Sequence, residues 1–208
     1  ITSIQCYLEW ISDGIIELTP KTLDSITDEM QRLIKLVNMI LDFQKFESQE
    51  IKLQKKSYSP YTILSDLKDT LELKLSETSQ KIIIQGSEHI EIFFDKDLFT
   101  QLVYNICGNF IKYAWNGSIL NISLSKDSIT FQDNGSWISK KELPFLFEKF
   151  YQWKKEKAWN AEDRGIWIWL SIVKKICDLH DWEVFLDSDT WSWFKITIQF
   201  FDLHTNFT

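Results

Sequence analysis

Three segments of the chain carry residue types suited to an oxygen-rich, charged ligand. In Asn105-Ile-Cys-Gly-Asn109-Phe-Ile-Lys112-Tyr113-Ala, the residues Asn105, Asn109 and Lys112 fall at i, i+4 and i+7 and share one helical face. Amide oxygens and a lysine on one face suit Mg²⁺ and phosphate oxygens, because Mg²⁺ takes oxygen ligands, keeps several waters and uses few protein groups. In Asp133-Asn-Gly135-Ser-Trp137-Ile138, an aspartate ends a strand-like run and enters a turn. Asp is common there for local reasons, and a buried carboxylate in that place can also accept a hydrogen bond from the exocyclic amine of a base. The third segment is Gly165-Ile-Trp167-Ile-Trp169-Leu170-Ser171-Ile-Val. Taken singly, each also fits a solvated polar face or an ordinary turn.

These segments need elements to hold them, and the apolar pattern supplies candidates. Ile4, Leu8, Ile11, Ile15 and Leu18 step by 4, 3, 4, 3, and Ile26, Met30, Leu33, Val37 and Ile40 repeat those steps after Thr19-Pro20. The spacing predicts two helices joined by a turn over residues 1–50, too short to be stable alone in water. They are expected to dimerise into a four-helix bundle, the alternative being a helical pair that covers the sheet of the next domain. From residue 51 the texture changes. A strand is predicted over Ile51–Tyr58, a helix from Ser59-Pro60 to Thr78, and short strands at Lys81–Ile84 and Ile90–Phe94. A helix over Lys96–Tyr113, a hairpin of Ile119–Leu124 with Ser128–Gln132, a helix over Trp169–Leu179 and closing strands Glu183–Asp187 and Phe194–Phe200 follow. The fold class is α+β, a helical hairpin followed by a two-layer α/β sandwich over residues 51–201, with 202–208 a tail.

Composition narrows the chemistry. The chain has 208 residues, 23 Lys+Arg against 30 Asp+Glu and 44% apolar side chains, enough for a core and too acidic for a nucleic-acid binder. No run of about 18 apolar residues spans a membrane. Cys6, Cys107 and Cys177 lack metal-ligand spacing, so neither a disulfide framework nor a zinc site is supported.

Together the three segments resemble the ATP-binding domain of sensor histidine kinases, in the superfamily shared by gyrase, Hsp90 and MutL proteins. Asn105–Lys112 is similar to the N box of that family, Asp133–Ile138 to the first glycine box, Phe147-Glu-Lys-Phe150 to the F box and Gly165–Leu170 to the second glycine box. Thr190-Trp191-Ser-Trp193-Phe194 falls where a third Gly-x-Gly occurs. The resemblance implies an ATP site of Asn105, Asn109, Lys112, Tyr113, Asp133, Gly135, Trp137, Ile138, Phe147, Phe150, Arg164, Gly165, Trp167, Trp169, Leu170 and Thr190, with Asn109 on Mg²⁺ and Asp133 reading the adenine amine. Gln152–Arg164 would be a lid that excludes water from the γ-phosphoryl group. The same resemblance implies a homodimer through the hairpin, a response-regulator receiver domain as partner, and a cytoplasmic place in a membrane-anchored sensor kinase, with no nucleic acid and no membrane contact by this part. It implies a phosphoacceptor His just before the segment that Ile1–Glu9 resembles, so the acceptor is expected upstream of Ile1. His89, His180 and His204 do not fit that role, and His180 reads as a helix C-terminal residue favourable to the dipole.

One departure is systematic. The chain has 10 Trp and only 6 Gly, where average usage predicts about 15 Gly. Trp137, Trp167, Trp169, Trp191 and Trp193 stand where the family has Gly, whose backbone must take positive φ or approach the nucleotide closely. Trp115, Trp153, Trp159 and Trp182 also stand where Gly is the expected punctuator. The expectation is that the source genome reads UGA as glycine and that the chain was translated with UGA as tryptophan. The competing expectation is a non-catalytic pseudokinase that dimerises and docks a partner without using ATP.

Overall fold

The computed structural model describes residues 2–48, 52–135, 138–148, 168–189 and 193–200. The chain divides into two units, Ile1–Ile51 and Lys52–Thr208.

The first unit is a pair of contacting helices, α1 (Thr2–Ser12) and α2 (Pro20–Ser48). The heptad pattern predicts the first helix as far as Leu18, yet it stops at Ser12. Gly14 takes φ +68°, its N–H bonds to the Ile11 carbonyl and the Ile15 N–H reaches back to Trp10 O at 2.8 Å. A left-handed glycine closing a helix in this way stops it regardless of the apolar period beyond. Ile15 and Leu18 are consequently exposed. Thr19 starts α2, its Oγ1 accepting the Thr22 N–H at 3.2 Å, and Pro20 opens the helix where no N–H is needed.

The second unit is built on a five-stranded sheet. Its strands β2 (Lys81–Gln85), β4 (Ile119–Leu124), β5 (Ser128–Asp133), β6 (Glu183–Asp189) and β7 (Trp193–Gln199) lie in the order β2-β4-β5-β7-β6. The β2–β4 pair is parallel and the other pairs are antiparallel. Strands β1 (Lys55–Tyr58) and β3 (Ile92–Asp95) form a separate antiparallel ribbon. The successive strands β2 and β3 therefore enter different sheets. Between them Gly86 takes φ +139° and lies so close to Leu124 that a Cβ would stand 2.7 Å from its carbonyl oxygen.

Alternation along the strands gives the sheet one buried face, with Ile82, Leu120, Ile122, Ile129, Phe131, Ile196 and Ile198, and one of Asn121, Thr130, Gln132, Lys195 and Thr197. Three helices supply the second layer: α3 (Pro60–Glu77), α4 (Lys96–Tyr113) and α5 (Ile168–Leu179). The i, i+3, i+7, i+11 set Leu64, Leu67, Leu71 and Leu75, with Ile63 beside it, is the buried stripe of α3, and Phe99, Leu102, Val103, Ile106 and Phe110 that of α4.

An aromatic cluster closes the end of this core. Trp182, 5% exposed, meets Phe200 at 4.9 Å between ring centroids, Phe94 at 6.3 Å and Phe99 at 6.2 Å, and stacks on His180 at 4.4 Å. The turn that the sequence pattern assigns to a glycine at 182 is taken one residue earlier, by Asp181 at φ +60°. His180 stands just past the end of α5 as a neutral ring. Its Nε2 accepts the Asp95 N–H at 3.0 Å, so the proton sits on Nδ1, which donates to Ile176 O at 2.8 Å. Burial holds the ring below its ordinary pKa, against the hydrogen bond to Ile176, with Lys55 adding to the depression and Asp95 and Asp181 opposing it.

A base whose folded pKa is depressed contributes stability that is intact above its unfolded value of about 6.5 and is lost as pH falls through the folded value. Urea unfolding at pH 7.5 and pH 5.0 should show a larger loss on acidification for the parent than for His180→Gln. All other groups titrate in both proteins, so equal losses would refute the neutral, bonded imidazole.

Candidate functional site

The site is built around α4. Asp95 caps the helix: its Oδ1 accepts the N–H groups of Asp97 and Leu98 at 3.1 and 3.2 Å, and its Oδ2 accepts the Gln54 N–H at 2.8 Å. Burial raises this carboxyl's pKa, but the three backbone donors outweigh it and hold the group below the ordinary value. With the apolar stripe of α4 buried, Asn105, Asn109 and Lys112 occupy a different face. Asn105 and Asn109 are half-buried, and Lys112 is exposed with its Nζ 4.9 Å from the Tyr113 ring centroid. The Nδ2 of Asn105 and the Oδ1 of Asn109 are buried with no hydrogen-bond partner. An unsatisfied buried polar atom costs about 1–3 kcal/mol, so a donor and an acceptor left open one helical turn apart mark a place that a ligand completes. The free amide oxygen of Asn109 is the donor type that Mg²⁺ takes, and the residues present fit that ion.

The end of β5 meets α4. Asp133 pairs with Leu120 on one side and Phe194 on the other, and its Oδ1 accepts the Gly135 N–H at 2.8 Å. Asn134 ties the turn to β4, its Oδ1 accepting the Ile119 N–H and its own N–H donating to Ile119 O. Gly135 lies directly on Ala114, the residue that caps the C-terminal end of α4. A Cβ there would stand 2.6 Å from the Cβ of Ala114, 2.9 Å from its Cα and 3.0 Å from Asp133 Oδ1. No side chain fits, so glycine is required for the loop to seat against the helix. Burial pushes the Asp133 carboxyl up to about 6, against the lowering effect of the Gly135 amide. At neutral pH it is a desolvated anion with acceptor capacity to spare, able to receive an N–H donor.

The remaining expected site residues divide by what is described. Ile138 is buried, and its N–H donates to Ser188 Oγ at 3.1 Å. Phe147 is half-buried after a 3₁₀ turn, Leu143–Phe145, and the adjacent Leu146 is fully buried. Trp169 and Leu170 are buried in the first turn of α5, which packs along α4. Trp137, Phe150, Arg164, Gly165, Trp167, Thr190, Trp191 and the expected lid 152–164 lie outside the described residues. Asn105, Asn109, Lys112 and Tyr113 are thus joined with Asp133 and Gly135 through the Ala114 contact. Ser188 is a residue that sequence reasoning missed; a serine late in a strand gives no signal of its own.

The family described as histidine kinase-, DNA gyrase B- and HSP90-like ATPase matches residues 94–203, from the end of β3 through β7. The chain belongs to this ATPase family. Among curated relatives it is 27% identical over 194 residues to the sensor histidine kinase YclK of Bacillus subtilis (strain 168), covering 91% of this chain and 41% of the relative. It is 28% identical over 206 residues to the sensor protein VanS of Enterococcus faecium, covering 95% of this chain and 53% of the relative. The chain spans about a third to a half of the length of the curated relatives it matches. Among solved structures, the Acinetobacter baumannii histidine kinase AdeS superposes with a TM-score of 0.71 at 18% identity, over 96% of this chain and 93% of that one. The histidine kinase ThkA in complex with the response regulator protein TrrA gives a TM-score of 0.72 at 18% identity, over 95% of this chain and 57% of that one. These likenesses establish a fold shared with histidine kinases, and the α+β sandwich expected for residues 51–201 is the architecture found.

In an ATPase of this family a buried anion retained at a cost to folding is informative. An acid whose folded pKa is raised costs stability at pH values above that pKa, and the cost vanishes as pH falls toward the unfolded value near 3.8. Asp133→Asn keeps the acceptor for the Gly135 amide and removes the charge. At pH 7.5 the variant should be about 1–3 kcal/mol more stable than the parent by urea unfolding, with the advantage shrinking below pH 6. A less stable variant at pH 7.5 would sink this reading.

Proposed function

We propose that the chain is the ATP-binding part of a two-component sensor histidine kinase, and that the face of α4 with the Asp133 loop is its nucleotide site. The observation that carries this is the pair of unsatisfied buried atoms, Asn105 Nδ2 and Asn109 Oδ1, on the helix against whose end Gly135 brings the half-buried Asp133. Asp133 accepts the adenine amine, Tyr113 lines the base, and Lys112 meets phosphate oxygens. Asn109 holds Mg²⁺ through its amide oxygen with Asn105 beside it, and the ion when bound neutralises charge on the triphosphate. Phosphoryl transfer demands little covalent chemistry from a protein; positioning and charge stabilisation are its contribution, which suits a site of fixed amides and a lysine. Ile138, Phe147, Phe150, Leu170 and Thr190 complete the pocket in this reading, with Arg164 and the 152–164 lid closing it.

The γ-phosphoryl group then passes to a histidine and from there to a response-regulator aspartate. Neither α1 nor α2 contains a histidine. His180 is committed at both ring nitrogens, so the acceptor belongs to a segment other than these. Exposed apolar residues support a homodimer through the first unit: Leu23, Met30 and Val37 repeat at seven-residue intervals on α2, with Ile34 beside them. Replacing Met30 and Val37 by Asp should convert a dimer to monomer in sedimentation; an unchanged mass would refute the stripe as the interface. The chain is assigned to the cytoplasmic side of a membrane-anchored sensor, and no helix among the described residues is long and apolar enough to cross a membrane.

A second reading is supported by one specific observation, the five tryptophans at glycine-box positions. A pseudokinase truly carrying Trp137, Trp167, Trp169, Trp191 and Trp193 has no open nucleotide pocket, whereas recoding of UGA restores it. ATP titration with and without Mg²⁺ separates the readings. We expect negligible binding by the chain as written and Mg²⁺-dependent binding by the form with Gly at those five positions. Tight binding by the Trp form would overturn the steric argument, and UGG codons at these positions would end the recoding proposal.

A further inference from the structure

Ser188 stands between the two segments that flank the proposed nucleotide site. It lies near the end of β6, is 1% exposed, and pairs in register with Phe194 at the start of β7. Its hydroxyl is used in both directions: Oγ accepts the Ile138 N–H at 3.1 Å and donates to the Trp193 carbonyl at 2.9 Å. Its own N–H donates to Asp187 Oδ1 at 2.9 Å. Ile138 ends the segment that Asp133 begins, and Trp193 begins β7. The near end of the first segment is fixed by separate bonds, from Gly135 to Asp133 and between Asn134 and Ile119. Ser188 is the partner of its far end.

We infer that Ser188 is a positioning residue for nucleotide binding: its buried hydroxyl clasps Ile138, at the end of the first-box segment, to Trp193 at the start of β7, and so fixes where Ile138 stands in the proposed site. The inference rests on the proposed ATP site. A hydroxyl is suited to this task because one small group satisfies a donor on one segment and an acceptor on the other, in a place too buried for water to substitute. Alanine leaves both backbone groups unpaired and releases the far end of the loop, while Asp133 and Gly135 keep the near end in place.

The test compares Ser188→Ala, Ser188→Thr and Ile198→Val, the last trimming a fully buried residue of β7 that makes no contact of this kind. Amide exchange at Ile138 is followed in the chain as it stands, and Mg-ATP binding in the five-glycine form. Ser188→Ala should speed exchange at Ile138 and weaken Mg-ATP binding about tenfold, the scale expected when one hydrogen-bonded tether is lost. Ile198→Val should lower the melting temperature with neither effect, and Ser188→Thr should restore both. Should Ser188→Ala fail to fold, Ser188→Cys carries the same comparison. Unchanged exchange at Ile138, or equal weakening by Ile198→Val, overturns the clasp. If the five-glycine parent itself binds no Mg-ATP, the ATP reading and the nucleotide part of this inference fall together, and the exchange result still decides whether the clasp exists.

Discussion

The carboxylate of Asp95 accepts backbone N–H groups from Gln54, Asp97 and Leu98 while its own amide donates to His180. Through these four bonds one residue holds the segment before β1, the first turn of α4 and the last turn of α5. Without it the first turn of α4 would have unpaired N–H groups, and the ribbon of β1 and β3 would be held to the helix layer by ring packing such as Phe94 on Phe99 without these polar bonds. The far end of α4 is fixed differently, by shape: Gly135 sits on Ala114 with no room for a methyl group. A helix anchored electrostatically at one end and sterically at the other is what keeps Asn105, Asn109 and Lys112 in a constant relation to Asp133.

The candidate site is also where the fold gives up stability. The helices elsewhere bury methyl and ring groups in matched stripes, but along α4 two amide atoms are desolvated without partners, and at the end of β5 a carboxylate is kept charged in a buried place. Each of these is unfavourable by an amount comparable to a good core contact. The rest of the domain offsets them with the Trp182 cluster and the buried Phe99, Leu102, Val103 and Ile106, which lie on another face of the same helix. Segregating apolar and unsatisfied polar positions on different faces of a single helix lets one element serve the core and the ligand together.

Much of this arrangement was legible in the sequence. Lys96–Tyr113 is predicted and found as a helix with the same limits, because Asp95 is a good cap and the apolar period is unbroken. The hairpin of β4 and β5 and the turn at Asp133 follow from alternation and turn chemistry. The first helix is shorter than its heptads imply, since backbone conformation at Gly14 overrides side-chain period. The place of His180 at the end of α5 suggests a residue that favours the helix dipole, whereas its bond to the Asp95 amide, between residues 85 apart, keeps the ring neutral, and no local pattern encodes that. Ser188 escaped for the same reason: its partner Ile138 is 50 residues away, and a hydroxyl has no signature until the fold brings its acceptor and donor together.

The tryptophans separate by environment, and the separation constrains any account of them. Trp182 is the hub of a core cluster, in contact with Phe94, Phe99, His180 and Phe200. Truncating so large a buried side chain costs on the scale of about 3–5 kcal/mol where the surroundings do not relax, and the positive-φ turn beside it is taken by Asp181. Of the five box tryptophans the described residues include two: Trp169 is buried in the first turn of α5, and Trp193 opens β7 half-buried with Lys195 Nζ 5.1 Å from its ring centroid, while Gly135 keeps the glycine of the first box where a Cβ would collide. The ten tryptophans are therefore not one class. In the chain that carries tryptophan, Trp182 and Trp169 are core residues and Trp193 is half-buried at the start of β7.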